Sequence, residues 1–327
     1  MKLTPIIFGT SCLGNLYKVV PFETKVAIAA EWFKAFDRPV IDSAGKYGAG
    51  MSLDCIGRAL RELGKQPGDL AISVKLGWRR SRRLAAGEEP TFEPGAWAGL
   101  EWDAVQDISY DGILRCFAEA KELLGGFPVD LVSVHDPDEY LSAATASAEA
   151  TAVKKDAKAD ILGAYKALFE LKARGEVKGV GIGAKDWRVI RLLWREGVTF
   201  DWAMFACAPT LLVHPPELLD FVRELKAAGV TLIDSAVFNG GFLTGGDMID
   251  YRTADPVKDA AAFAFRDRYL ALCRAYALDP AAPAVEYAYR LGFDAVALNT
   301  SSPRRILQNA AYAHLAAPAA FWKELEK

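Results

Sequence analysis

VIDSAGKYGAG (residues 40–50) runs an apolar strand into a glycine-rich turn, closes the strand on a carboxylate, Asp42, and sets a phenol, Tyr47, five residues later. Short apolar, β-branched runs like this one recur at 6–10, 70–76, 130–135, 177–183, 202–206, 230–235 and 295–299, with amphipathic stretches between them. That is the pattern of repeated βα units over a parallel sheet buried on both faces. Helices are expected at 24–36, 51–63, 160–174, 215–228, 260–276 and 303–314, with start signals such as Pro215-Pro216-Glu217 and stop signals such as Leu63-Gly64 and Ala228-Gly229. Eight units without a break in composition predict an α/β protein made of a single closed (β/α)8 TIM barrel, one domain over residues 1–327. Such a barrel needs about 250 residues, and the excess falls at 77–108, 136–159 and 240–257. Each excess segment follows a strand and precedes a helix, so long loops are expected at the C-terminal face, where barrels carry their active sites. The Ala/Ser/Lys-rich stretch 142–158 reads as a mobile or loosely helical loop. A two-domain dinucleotide fold competes through GVGIGA (179–184), but those glycines lie within a strand and not at the turn after it.

Composition narrows the function. With 39 basic against 42 acidic residues the formal charge is −3, which gives no field to draw in nucleic acid or an anionic membrane, so a small-molecule ligand is expected. Five cysteines without CxxC or metal spacing suit reduced thiols, and no apolar run is long enough to span a bilayer; a cytoplasmic location is expected. Three histidines with no HxH or HxxxH argue against a metal centre. The oligomeric state is left open.

Three strand ends carry Asp42, with Tyr47 just after it, Lys75 in AISVKLG, and His135 in LVSVHDPD. Each has a bland explanation: a lysine that snorkels, an aspartate that caps a helix, a packed tyrosine, a core histidine. Together they share one rim, because strand-end residues of a barrel converge on its C-terminal mouth. A free phenol is too weak a base at neutral pH, a nearby ammonium would favour its anion, and that ammonium needs a counter-charge. Lys75 and Asp42 fill those two roles, and His135 is placed to hydrogen-bond a substrate oxygen. A group that moves a proton on a carbonyl or alcohol oxygen needs a hydride partner, for which a nicotinamide is the natural choice. Trp78, Trp97, Trp102 and Trp187 are candidates for an apolar wall beside a sugar ring, with core packing the equal alternative. WRRSRR (78–83) reads as a solvated charged loop.

The segments FGTSCLGN, IDSAGKYGAGMS, VKLG, VSVHD, VKGVGIG and SSPRRILQNAA, spread over nearly the whole chain, resemble the aldo-keto reductase superfamily. The resemblance implies a catalytic tetrad of Asp42, Tyr47, Lys75 and His135. It implies NAD(P) held by Gly9, Thr10, Asp42, Ser235, Val237, Phe238, Asn239, Gly240, Asn299, Thr300, Ser301, Arg305, Gln308 and Asn309. Substrate would meet Tyr47, Trp78, His135 and Trp187. DISYDGILRCFAEA, GVGIGAKDW and AVFNGGFL are similar to the sugar-oxidising branch, the L-fucose and D-threo-aldose 1-dehydrogenases, whose near relatives include pyridoxal 4-dehydrogenases. The chain departs from the common pattern in carrying Gly183-Ala184 where most members have Ser-Asn, Lys185 where the branch tends to have asparagine, and Ser235 where a tyrosine usually stacks on the nicotinamide. Asn299 stands where NADP-preferring relatives often place a lysine, so the expected cofactor is NAD, with NADP as the alternative. The expected activity is oxidation of a free aldose at C1. Pyridoxal oxidation, NADPH-dependent aldehyde reduction and a nucleotide-sensing module without turnover are its rivals.

Overall fold

The computed structural model describes residues 3–150 and 156–326, without the side chains of 145–150. Eight parallel strands close into a barrel: β1 (Ile6–Gly9), β2 (Val40–Ala44), β3 (Ala71–Leu76), β4 (Leu131–His135), β5 (Gly179–Ala184), β6 (Trp202–Ala206), β7 (Thr231–Ser235) and β8 (Ala295–Asn299). They pair in chain order, and β8 returns to β1 through Ile6 opposite Val296. All eight expected strands are present, with ends that differ by at most two residues. The (β/α)8 architecture is therefore the one the hydrophobic pattern implied.

Strand alternation sorts the side chains into two shells. Ile6, Phe8, Ile41, Ile72, Val74, Val132, Val134, Val180, Ile182, Phe205, Leu232 and Val296 join the apolar layer under the surrounding helices. The opposite parity, Ile7, Val40, Ala71, Leu131, Trp202, Met204, Ile233 and Ala295, packs as a separate interior cluster. Continuing that inner parity toward the strand ends gives Gly9, Asp42, Ser73, Lys75, Ser133, His135 and Ser235. The barrel is thus apolar at its floor and polar at its mouth, and the same alternation that buries Val40 delivers Asp42.

The glycines of GVGIGA have a packing role in this scheme. A Cβ on Gly181 would sit 2.1 Å from Cδ2 of Trp202, the largest side chain of the interior cluster, and one on Gly183 would sit 3.2 Å from Cδ of Lys75. β5 is bare on its inner face so that an indole can fill the floor and a lysine stem can cross the mouth. The glycines lie within a strand, as expected, and not at a dinucleotide-binding turn.

Two loop expectations also change. WRRSRR is a strand, Trp78–Arg83, paired antiparallel with Trp102–Gln106. Two of its four arginines pair with acids, Arg79 with Asp107 at 2.7 Å and Arg82 with Glu88 at 2.6 Å, and Arg80 donates to the Ala49 carbonyl at 3.0 Å. Of the stretch 142–158, the first part belongs to the helix Pro137–Ala150 and Ala157 opens the helix Ala157–Ala173, whose cap Asp156 accepts from the amide of Ala159; residues 151–155 lie outside the described ones. The third excursion carries a two-stranded ribbon, Met248–Ile249 with Arg252–Thr253. Among the described residues no helix is long and apolar enough to cross a membrane.

Gly181→Ala should lower unfolding stability by about 1–3 kcal/mol, because the added methyl meets a fixed indole and the Trp202 carbonyl at 2.6 Å. Urea unfolding monitored by tryptophan fluorescence measures this, and an unchanged midpoint would show that the barrel floor has slack.

Candidate active site

A cavity of about 1020 Å³ opens at the C-terminal mouth and runs from Tyr17 and Trp97 at one end to Asn309 and Tyr312 at the other. Asp42, Tyr47, Lys75 and His135 all line it, so the four residues selected from strand ends meet at one place. Lys75 and Asp42 are 5% and 3% exposed and form a direct ion pair through Oδ2. The other Asp42 oxygen accepts from Ser73 Oγ at 3.1 Å. The Lys75 ammonium stands 4.9 Å from the Tyr47 ring centroid. His135 meets Tyr47 edge to face, with ring centroids 5.5 Å apart.

The loop that presents Tyr47 is clamped from below. A Cβ on Gly14 would lie 2.6 Å from the Tyr47 carbonyl carbon, and Gly48, at φ +61°, passes within the same tight contact. Two bare backbones in van der Waals contact fix the height of the phenol above Lys75. Ser52 adds a tie, donating to the Thr10 carbonyl at 2.9 Å.

Electrostatics correct one expectation. Burial pushes the Tyr47 phenol above its ordinary value; Lys75 pulls it down and Asp42 pushes it up again, so the net direction is upward. Lys75 therefore offsets part of the burial penalty without making Tyr47 an anion at rest. Burial works against the Lys75 charge too, but Asp42 and then Tyr47 outweigh it, and the ammonium holds its proton more tightly than usual. His135 is driven well below its ordinary value by burial, then by Lys75, Lys46 and Lys185, so it is neutral in the working pH range. Its Nδ1 is buried with no hydrogen-bond partner among the described residues.

The long arm of the cavity is lined by Gly9, Thr10, Ser235, Val237, Phe238, Gly240, Asn299, Thr300, Ser301, Arg305, Gln308 and Asn309. Asn239, expected among them, does not line it. It is fully buried at φ +48° and its amide donates to the Cys207 carbonyl at 3.2 Å and to Asp250 Oδ1 at 2.9 Å, tying the third excursion to the barrel. Gln308 is held by Asp279, which also accepts from Tyr312. Asn299 Oδ1 accepts from the Cys12 amide at 3.4 Å. The bare backbone at Gly9 and Gly240 and the guanidinium at Arg305 are groups that would accommodate a dinucleotide in this cavity.

The aromatic wall is also redrawn. Trp97 lines the cavity with Tyr17, Phe238 and Tyr251, whereas Trp78 and Trp187 do not. Trp78 stands behind the wall, against Phe92 and under the Lys46 ammonium, and Trp187 lines a separate shallow pocket on the far side of Lys185 and Tyr251. Trp102 is covered by Arg80 and Arg83 on the outer hairpin. Sequence reasoning passed over Lys46, Glu93, Asp136 and Glu139. Lys46 had a positional signal, a lysine directly before Tyr47. Glu93 had none, since its place depends on how the 77–108 excursion folds back.

The model of the aldo/keto reductase family matches residues 5–327. A pyridoxal 4-dehydrogenase of Microbacterium luteolum is 29% identical, covering 99% of this chain and 94% of the relative. A D-threo-aldose 1-dehydrogenase of a Pseudomonas species is 28% identical over 97% of this chain and 92% of the relative. Among solved structures, the glycerol dehydrogenase AKR11B4 of Gluconobacter oxydans superposes with a TM-score of 0.69 at 17% identity, covering 100% of this chain and 91% of that one. The holo form of the aldo-keto reductase AKR11C1 of Bacillus halodurans gives 0.68, also at 17%, over 100% of this chain and 92% of that one. A match over essentially the full length joins the barrel and its polar mouth into one assignment: this chain is a member of the aldo/keto reductase family.

Proposed function

We propose that the protein is an NAD(P)-dependent dehydrogenase that oxidises the anomeric carbon of a free aldose, of the L-fucose or D-threo-aldose type, to the lactone. The observation that carries this reading is the buried Lys75–Asp42 pair beneath Tyr47, with a neutral His135 at the ring edge. Tyr47 takes the anomeric hydroxyl proton while hydride leaves C1. His135 hydrogen-bonds the same oxygen and orients it, acting as a neutral group. Lys75 stabilises the phenolate form on which proton abstraction depends, and Asp42 holds the ammonium in place. A bound nicotinamide would supply the hydride acceptor. For that group Ser235, Val237, Phe238 and Gly240 would hold the ring half, and Arg305 and Asn309 the adenosine half. NAD is favoured over NADP, since Asn299 offers an amide where a 2′-phosphate would need a cation.

The second reading, oxidation of pyridoxal, is favoured by a specific observation: a relative bearing that activity is 29% identical over nearly the whole chain. Both substrates present a cyclic hemiacetal hydroxyl, so the same proton chemistry serves either. Initial rates with NAD and with NADP against L-fucose, D-arabinose, pyridoxal and simple aldehydes separate the readings. Lactone from an aldose is the expected product, and its absence with every sugar would remove the first reading.

The proton balance gives a pH expectation. Because burial leaves Tyr47 protonated at neutral pH, oxidation requires its deprotonation and kcat/KM should climb as pH rises into the alkaline range. Lys75 lowers the phenol, so Lys75→Met should move that climb to still higher pH and cut the rate at pH 8 by about 10²–10⁴-fold. A pH profile of the variant that coincides with that of the wild type would show that Lys75 does not act on the phenol.

A further inference from the structure

Beside Tyr47 and His135 lies a second group of charges that the proton chemistry leaves unused. Lys46, 3% exposed, forms an ion pair with Glu93 Oε1 at 2.7 Å and donates to Glu139 Oε2 at 2.8 Å. Lys185 donates to the other Glu139 oxygen at 2.6 Å. Asp136 brings one carboxylate oxygen to 3.8 Å from Lys46, 3.7 Å from Lys185 and 3.6 Å from His135 Nε2. The remaining oxygen of Glu93 accepts from Trp97 Nε1 at 2.8 Å, and the Trp97 ring stands 6.0 Å from that of Tyr47. Lys46, Glu93, Asp136 and Lys185 all line the cavity.

Charges withdrawn from water hold their ionised form only when paired, and here they are paired with one another. Two ammonium groups face two glutamates, and burial drives the third acid, Asp136, toward its neutral form. With two lysines set against three acids, the cluster has no surplus positive charge to attract an anion. An anion approaching Lys46 must compete with Glu93 or Glu139, and a cation must displace a lysine. Hydrogen-bonding capacity is left over, however. An ammonium has three donors and Lys46 donates one to Glu139, while each Glu93 oxygen keeps a lone pair. A neutral hydroxyl, both donor and acceptor, uses that capacity without breaking an ion pair.

We propose that the Lys46–Glu93 pair is a specificity device that accepts neutral polyhydroxylated substrates at the reacting end of the cavity and turns away their phosphorylated or carboxylated counterparts. This rests on reading the site as that of a carbonyl and hydroxyl oxidoreductase, and it adds the substrate's charge class.

The test compares glyceraldehyde, glyceraldehyde 3-phosphate and propanal as substrates for reduction by the wild type, Glu93→Gln and Lys46→Met. The wild type should prefer glyceraldehyde to its phosphate by about tenfold or more in kcat/KM. Glu93→Gln keeps a carbonyl oxygen for Trp97 but removes the charge facing Lys46, so the phosphate-to-neutral ratio should rise about tenfold. Lys46→Met should abolish that gain when combined with Glu93→Gln and should lower glyceraldehyde relative to propanal. A ratio that does not move, or a fall of all three substrates in step, would overturn the assignment. Wild-type inactivity toward all three, and toward the aldoses and pyridoxal in the oxidative direction, with either cofactor would instead remove the oxidoreductase reading, and this inference with it.

Discussion

A lysine ammonium inside a barrel has nowhere to shed its charge, and the Lys75–Asp42 ion pair is the answer on which the mouth of this protein is built. Burying either partner alone would cost several kcal/mol. The two arrive together because they share the inner parity of adjacent strands, β2 and β3, whose register sets Ala44 opposite Lys75 and Asp42 opposite Ser73. Ser73 then satisfies the carboxylate oxygen that the lysine does not use. Room for the lysine stem comes from Gly183 on β5, where no side chain competes. The β2–β3 register thus aligns the acid with the lysine, and a slip by one residue would send Lys75 into the apolar outer shell.

The pair does less to the phenol than its proximity suggests, and the reason is competition within one site. Lowering the dielectric strengthens the attraction between Lys75 and a phenolate, and it also penalises the phenolate itself. Asp42, needed to keep the lysine in place, pushes in the same direction as burial. The phenol therefore rests in its neutral form, while the ammonium stands ready to stabilise the anion once the proton is drawn away. His135, made neutral by burial and by three nearby lysines, completes a site in which only one side chain has to change its charge during turnover.

Much of this was legible in the residues. Strand runs are short and bounded, their alternation is strict, and four polar side chains at strand ends have few places to go other than the mouth. The barrel, its closure and the meeting of Asp42, Tyr47, Lys75 and His135 follow from local rules applied eight times. What resisted reading lies in the excursions. Nothing in residues 77–108 says that Glu93 will fold back onto Lys46, or that Trp97, not Trp78, will face the cavity, because those outcomes depend on an antiparallel ribbon that pairs Trp78–Arg83 with Trp102–Gln106 across the excursion. Asn239 misled for a related reason: its motif neighbours line the cleft, but its left-handed backbone turns the amide into the barrel wall.

β5 carries a consequence of its own. With hydrogen in place of side chains along its inner face, the strand leaves the indole of Trp202 and the stem of Lys75 leaning on the same narrow corridor, one above the other. Any lineage that drifted toward a bulkier residue there would feel the change twice, once as a weakened scaffold and once as a displaced ammonium. Robustness and reactivity are mechanically coupled through an absence of atoms, and neither can be tuned along this corridor without disturbing the other.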